Sequence, residues 1–447
     1  MLKINISAKK LHEIEKKLNQ IHFKDFEIGS TLSFYFDRLY RGDFDNRFFR
    51  NFFNFGYYFI KSISTKKYKK DYQKSLFYFK SGLQRHHQAM EEAVLHNEDL
   101  EQKTLVIGPE HDCELSKGKV FYNSNLITLF KIIIFLSINI YKITAYFKPL
   151  NLNIKTRATL YIYLIIQLLK VNSLKMFIIE QPAIKLIGAD FDRGVDSSLL
   201  FTVAKALGIK SFTLQHGVIN PPVGYSPINA SEIWVWGEMA RLQLMELGVD
   251  ENKIRKTGTS IVKEYEISNE IRQNTLETYK LYTGRTFVLA LSSPNKLNDI
   301  KLIKLFVKAK KIFGEPSDNF LVKIHPARNI SDYSWIEDQY NLHVLPQKIP
   351  HEDFLNIVDV LLAHTSGIAT EALYHGKKVG ILDVLDISPG NGLELNKYFN
   401  IPLLKSVTEL INFLEIEKCA LINDLVYYKT GEAAKVEITK NIQNLID

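Results

Sequence analysis

Apolar residues along the chain follow two rhythms. From about residue 180, short apolar runs of strand type alternate with stretches of helical periodicity: strand at 184–189, helix at 197–207, strands at 210–214 and 232–236, helix at 239–247. Such alternation predicts βαβ units and parallel sheets. A polar connector of helical character, 264–281, interrupts the series. A second run follows, with a strand at 287–293 closed by Pro294, an amphipathic helix at 299–313, and the stretch 320–383, which holds two consecutive strand–turn–helix units. Gly390, Asn391 and Gly392 make a loop, 407–417 another helix and 432–446 a polar terminal helix. The pattern predicts two domains, 1–268 and 269–447, the first divided into a helical region 1–100 and a Rossmann-like part 101–268.

Before residue 180 the rhythm is different. Residues 1–100 read as mainly helical and rich in aromatics, with Phe48, Phe49, Phe52, Phe53, Phe55 and Phe59 crowded ahead of Lys66, Lys67, Lys69 and Lys70. This is either a set of helices packed on the main fold or a surface for an anionic bilayer. Residues 104–108 read as a buried strand leading into Pro109, Glu110, His111 and Asp112, a candidate acceptor-side wall. The stretch 126–147 is strongly apolar, but Lys131 and Lys142 leave only 132–141 free of charge. A bilayer span needs roughly 20 apolar residues, so a buried or interfacial helix is expected, and 156–171 repeats the pattern.

Composition narrows the partners. At 447 residues, 46% hydrophobic and 24% charged, the chain can bury a sizeable core. Cys113 and Cys419, the two cysteines, form neither a metal-ligand spacing nor a disulfide framework, and the N-terminus lacks a signal-peptide pattern. Both features predict a cytoplasmic protein. A net charge of +8 suits an anionic partner such as a nucleotide sugar, an acidic glycan or a membrane surface. Basic residues are scattered and no nucleic-acid motif occurs, so nucleic acid is not an expected partner.

Candidate chemistry gathers at strand ends. The apolar run from Phe320 ends at His325, and Pro326 bars its continuation into a sheet. His325 is therefore expected at a carboxyl tip, with Lys323 and Arg328 beside it. The next unit begins with His351, Glu352 and Asp353 in a helix's first turn. It then passes through a strand at 360–363 into His364, Thr365, Ser366 and Gly367, with Glu371 one turn further on. Thr365, Ser366 and Gly367 offer hydroxyls and N–H groups where a helix dipole is positive, which suits a phosphate. In the first domain one strand ends in Asp190, Phe191 and Asp192, and the next in Gln215, His216 and Gly217, followed by Tyr225. Open α/β sheets bind ligands beyond the carboxyl ends of their strands. Asp190 is the favoured general base, with Asp192 and His216 close behind; the alternatives are helix N-caps for the acids and a backbone-bonded loop histidine. Gly217 permits a tight turn or close backbone approach. The spacing of Asp190 and Asp192 matches the DxD metal pattern, although no metal is expected.

Lys323-Ile-His-Pro326, followed by His364-Thr-Ser-Gly367 and Glu371, resembles the donor half of GT-B glycosyltransferases of bacterial capsule and lipopolysaccharide assembly. The likeness is to transferases of CMP-activated sialic acid or Kdo and to CDP-glycerol transferases of teichoic acid synthesis. Gln215-His-Gly217, Tyr225, Trp236-Gly237 and Lys256-Thr-Gly258 similarly resemble the acceptor-domain end of those enzymes. The resemblance implies an α/β GT-B fold, with two Rossmann-like domains facing across a cleft and a last helix returning to the first domain. It implies His325 and Pro326 near the donor phosphate, Thr365 and Ser366 on that phosphate, and Glu352 or Glu371 at the ribose. Lys323 and Arg328 could meet a donor carboxylate or phosphate. The activity so implied is a metal-independent, cofactor-free transfer of a sugar, of the acidic CMP-activated kind, onto a growing glycan or lipid-linked glycan at the cytoplasmic face of the inner membrane. Alternatives are a CDP-glycerol or UDP-sugar donor, a non-hydrolysing sugar-nucleotide 2-epimerase, and a non-catalytic GT-B-like scaffold subunit.

Overall fold

The computed structural model describes residues 8–41, 44, 73–80, 88–95, 97–107, 126–219, 224–291, 296–325, 328–364, 366–385, 391–416 and 426–447. The chain divides into two compact units: Met1–Trp236, Ala240–Ile261 and Glu432–Asp447 form the first, and Gly237–Met239 with Val262–Gly431 the second.

A short hairpin, β1 (His22–Phe23) with β2 (Phe26–Glu27), precedes the first sheet. That sheet holds β3 (Leu76–Phe79), β4 (Thr104–Ile107), β5 (Leu186–Ala189), β6 (Lys210–Leu214), β7 (Glu232–Val235) and β8 (Ile254–Lys256). The strands are parallel and ordered β4-β3-β5-β6-β7-β8. The second sheet holds β9 (Thr286–Leu291), β10 (Asn319–Ile324), β11 (His343–Val344), β12 (Val360–Ala363), β13 (Lys378–Leu382) and β14 (Leu403–Leu404). These are also parallel, in the order β11-β10-β9-β12-β13-β14. An α/β chain with a six-stranded parallel sheet in each of two units has the GT-B fold. The strands read as continuous apolar runs because both faces are covered: every residue of β9 and β12 is buried.

In the first sheet the pleat sends alternate side chains to two different cores. Phe77 and Ile187 join a cluster built with the helices Ala8–Leu18, Leu126–Phe147, Ile154–Ile179 and Ser197–Leu207. Leu76, Tyr78 and Leu186 point the other way, to Met90, Val94 and the terminal helix Gly431–Ile446, which offers Ile438, Ile442 and Ile446 at helical spacing. Arg255 Nη1 and Asn441 Oδ1, 2.9 Å apart, fasten that helix at its polar edge. Gly188 permits the close layer: a Cβ there would lie 2.6 Å from Phe212 Cζ, in a ring stacked on Trp234 at 4.1 Å.

Several elements differ from the sequence pattern; Asn391 and Gly392, expected in a loop, open the helix Asn391–Phe399. Leu76–Phe79 lies in the region read as mainly helical, yet it forms β3, paired on both sides by β4 and β5; an aromatic run suits a pleated, buried position. The apolar helix begins before residue 156, at Ile154, where Asn153 accepts a hydrogen bond from Thr156 N at 2.8 Å. The connector is helical only over Asn269–Thr278, and the chain enters the second unit at Val262. The Phe48–Phe59 and Lys66–Lys70 stretches, Pro109 to Asp112, Cys113 and Cys419 lie outside the described residues.

Candidate functional site

Numbered within its unit, the second sheet runs 3-2-1-4-5-6, so the winding reverses between β9 and β12. Ligands of such sheets bind at the carboxyl ends beside that reversal. His325 follows β10 directly and is partly buried, and its carbonyl accepts from Arg328 N at 2.9 Å. His364 follows β12 and is 1% exposed, with Nδ1 2.7 Å from the Leu382 carbonyl oxygen. A carbonyl only accepts, so Nδ1 carries a proton; Nε2 has no protein partner among the described residues. Ser366 is the N-cap of the helix Gly367–Tyr374, in extended conformation, but its hydroxyl makes no cap hydrogen bond. Ala369 N donates to the Ser366 carbonyl at 3.3 Å, and the helix start beside the Ser366 hydroxyl carries the positive end of the helix dipole, which suits an anion. Pro326 and Thr365 lie outside the described residues.

One turn along the same helix, Glu371 points into the unit and receives His351 Nδ1 at 2.9 and 3.0 Å from its two oxygens. His351 heads the helix His351–Ile357, whose first turn also holds Glu352 and Asp353. Glu352 itself is exposed, and Asp353 accepts from Tyr279 Oη at 2.7 Å. Of the two acids offered for a ribose, Glu371 is the one held inside the unit. Lys323 is turned toward the same place: Nζ lies 5.1 Å from the centre of the Phe354 ring, burial lowers its pKa, and the Glu371 charge opposes that fall. Lys323 therefore lies within the electrostatic reach of Glu371. Burial lowers the pKa of His375, with Glu371 again opposing, and raises those of Tyr265 and Tyr427, with Glu371 adding to the rise. Glu371 is thus the electrostatic centre of this part of the unit.

The first sheet reverses between β3 and β5. Phe79 pairs with Ala189, so the next residue on each strand, Lys80 and Asp190, stands at that reversal. Lys80 is buried and binds Glu91 Oε1 at 2.6 Å. The only hint of this pair in the sequence is the Leu76–Phe79 run that ends in Lys80. Asp190 has no exposed surface, and its charge adds to the burial that raises the Tyr78 phenol. Asp192 is 2% exposed, and its two oxygens accept from Asn229 N and Ala230 N at 2.8 Å each. This is a structural clasp on the 229–230 backbone, and it leaves Asp190 and Asp192 without the open arrangement of a DxD metal pair. Among the described residues, no group of three His, Cys, Asp or Glu is placed to hold a metal ion.

The acceptor-side residues also turn their polar atoms inward. Gln215 accepts from Trp236 N at 2.8 Å and donates to Gly217 O at 2.9 Å, while Tyr225 Oη donates to the same carbonyl at 3.0 Å. They act as a frame for His216, which stacks on Tyr225 at 4.9 Å and meets Phe191 edge-on at 4.8 Å. Among the described residues, a Cβ on Gly217 would meet Tyr225 Oη at 3.7 Å and nothing nearer. Of Asp190, Asp192 and His216, only His216 is partly exposed.

No protein-family model matches the chain, and no curated protein matches it. Among solved structures, the UDP-GlcNAc 2-epimerase of Methanocaldococcus jannaschii, in complex with UDP-GlcNAc and UDP, is 13% identical, with a TM-score of 0.49 over 83% of this chain and 99% of that one. A glycosyltransferase from Rickettsia africae is 14% identical, with a TM-score of 0.45 over 83% of this chain and 96% of that one. The glycotransferase of kitacinnamycin is 10% identical, with a TM-score of 0.46 over 84% and 99%. Likeness at this level assigns no chemistry to the chain.

The Asp192 clasp has a measurable signature. Burial pushes its pKa up to about 6, against the pull of the two N–H donors and Arg193. With the folded pKa above the unfolded one, the native state binds the extra proton, so this group's contribution to stability falls as pH rises from about 4 to 6. Asp192→Asn sets an amide N–H₂ against one backbone N–H and is expected to lower stability by about 1–3 kcal/mol. Urea unfolding across that pH window should show the variant's deficit shrinking as pH rises; a deficit independent of pH rejects the assignment.

Proposed function

We propose that the chain is a metal-independent GT-B glycosyltransferase that takes its sugar from a nucleotide donor. The observation that carries this reading is the convergence at the second sheet's reversal: His325 after β10, His364 and the uncapped Ser366 after β12, and Glu371 on the helix that Ser366 opens. In this scheme Ser366 and the helix start hold the donor phosphate, His325 offers a hydrogen bond or proton to the departing nucleotide, and Glu371, steadied by His351, accepts from ribose hydroxyls. Among the strand-tip candidates of the first unit, His216 has the exposure that a general base needs. The finer reading is a CMP-activated acidic sugar moved onto a bacterial surface glycan on the cytoplasmic side of the membrane; the Lys323-Ile-His-Pro326 and His364-Thr-Ser-Gly367 resemblance supports it.

Thermal unfolding with CMP, CDP, UDP and GDP tests the donor. Cytidine nucleotides should protect most, by about 2.7 kcal/mol at one hundred times the dissociation constant. Ser366→Ala should weaken that binding by roughly 10- to 100-fold, the worth of a hydrogen bond to a charged group. Equal or better protection by UDP or GDP rejects a cytidine donor. Release of a 2-epimer without acceptor makes the protein an epimerase, and protection by none of the four makes it a scaffold subunit.

A further inference from the structure

We propose that the Leu126–Phe147 helix docks the protein onto an anionic lipid bilayer, lying in the plane of the membrane surface. Its inner face is committed to the protein: Ile132, Leu136, Ile143 and Phe147 are buried in the first unit's core, and Phe135 packs on Phe23 at 5.1 Å. Thr144 and Tyr161 Oη, 2.7 Å apart, tie it to the following helix. The outer face is apolar and uncovered, with Ile127 64%, Phe130 64%, Ile138 76% and Tyr141 87% exposed and Ile134 beside them. These positions recur at three- and four-residue steps from Ile127 to Tyr141, which puts them on one stripe about 21 Å long at 1.5 Å per residue. A stripe of that size is far more apolar surface than a monomer leaves to water without a use.

Charge selects the occupant. From residue 126 to 179 the chain contains no Asp or Glu, while Lys131, Lys142, Lys148 and Lys155 are all exposed. Lys24 adds to the field, close to Lys131 and Lys175, and Asp25, bound by Lys175 at 2.5 Å, partly offsets it. An apolar stripe edged mainly by cations matches the boundary between acyl chains and anionic headgroups. A second copy of the chain would bring the same positive charges face to face. Spanning is opposed by the buried inner face, which would have to be stripped from the core, and by Lys131 and Lys142, which break the apolar run. The proposal goes beyond the nucleotide-sugar reading and holds whichever donor is used.

Flotation of the full-length protein with phosphatidylglycerol or phosphatidylcholine vesicles tests it. The protein should float with the anionic vesicles, less so with rising salt, and poorly with phosphatidylcholine. Ile134→Glu with Ile138→Glu should abolish flotation, and Lys131→Glu with Lys142→Glu should reduce it by roughly tenfold or more. Each variant should keep the wild-type circular dichroism and melting temperature, since the altered side chains are exposed. Failure to float with phosphatidylglycerol overturns the proposal, as does flotation unchanged by the Ile134/Ile138 pair. A wild-type dimer in light scattering that this pair converts to monomer also overturns it and gives the face to a second copy.

Discussion

Arg193→Met should lower the stability of the first unit by about 3–5 kcal/mol, the usual loss when one partner of a buried ion group is removed. Arg193 is 1% exposed and spends every nitrogen. Nε lies 3.0 Å from both Asp37 oxygens, Nη2 binds Asp37 at 2.8 Å and Glu15 at 2.9 Å, and Nη1 reaches Glu15 at 3.2 Å and Pro227 O at 2.9 Å. Without the guanidinium, two buried carboxylates face each other uncompensated. Burial already raises the Asp37 pKa, with Arg193 the chief opposing influence, so in the variant only the weaker pull of Arg41 opposes that rise. The folded variant then binds protons more tightly than the unfolded chain, and its deficit should shrink as pH falls into the carboxylate range. Adding Glu15→Leu and Asp37→Leu should recover much of the loss, because a buried ion group gives little net stability over apolar residues of similar volume. Urea unfolding of the three proteins decides it: a single-variant deficit below about 1 kcal/mol would mean that water or backbone groups replace the guanidinium. The network also ties the turn after β5 to the helices Ala8–Leu18 and Ser33–Arg41.

His325→Ala should lower turnover by roughly 10²-fold or more, the usual contribution of a positioned acid. The fold should survive, because the imidazole is partly exposed beyond the end of β10 and adds little to the core, which is built from Phe320, Val322 and Ile324. Nucleotide binding should change less than turnover, since an interaction that matures as charge develops on the leaving phosphate acts on kcat more than on ground-state affinity. Single-turnover transfer together with nucleotide titration separates the two. If turnover stays within about threefold of wild type while the melting temperature drops by several degrees, His325 is a structural residue and the donor-site assignment goes with it.

The periodicity of the chain was enough for most of its elements. Ser197–Leu207, Lys210–Leu214, Leu126–Phe147 and Val360–Ala363 stand where alternating and helical apolar patterns put them, because side-chain period follows directly from backbone geometry. The strand-tip positions of His325, His364 and Asp190 were legible for the same reason: a turn residue after an apolar run marks the end of a strand wherever that strand packs. Strand order was not legible, since pairing depends on contacts remote in sequence, and it is the order that sets β9 beside β12 and makes one pair of tips a reversal point. The role of Glu371 depended on His351, and the Lys80–Glu91 pair on β3, whose short aromatic run carries no period long enough to separate strand from helix. Burial was decided only in three dimensions. Asp190, Asp192 and His216 look alike as polar residues after strands, yet backbone N–H groups absorb Asp192, the core encloses Asp190, and His216, stacked on Tyr225, is left partly exposed.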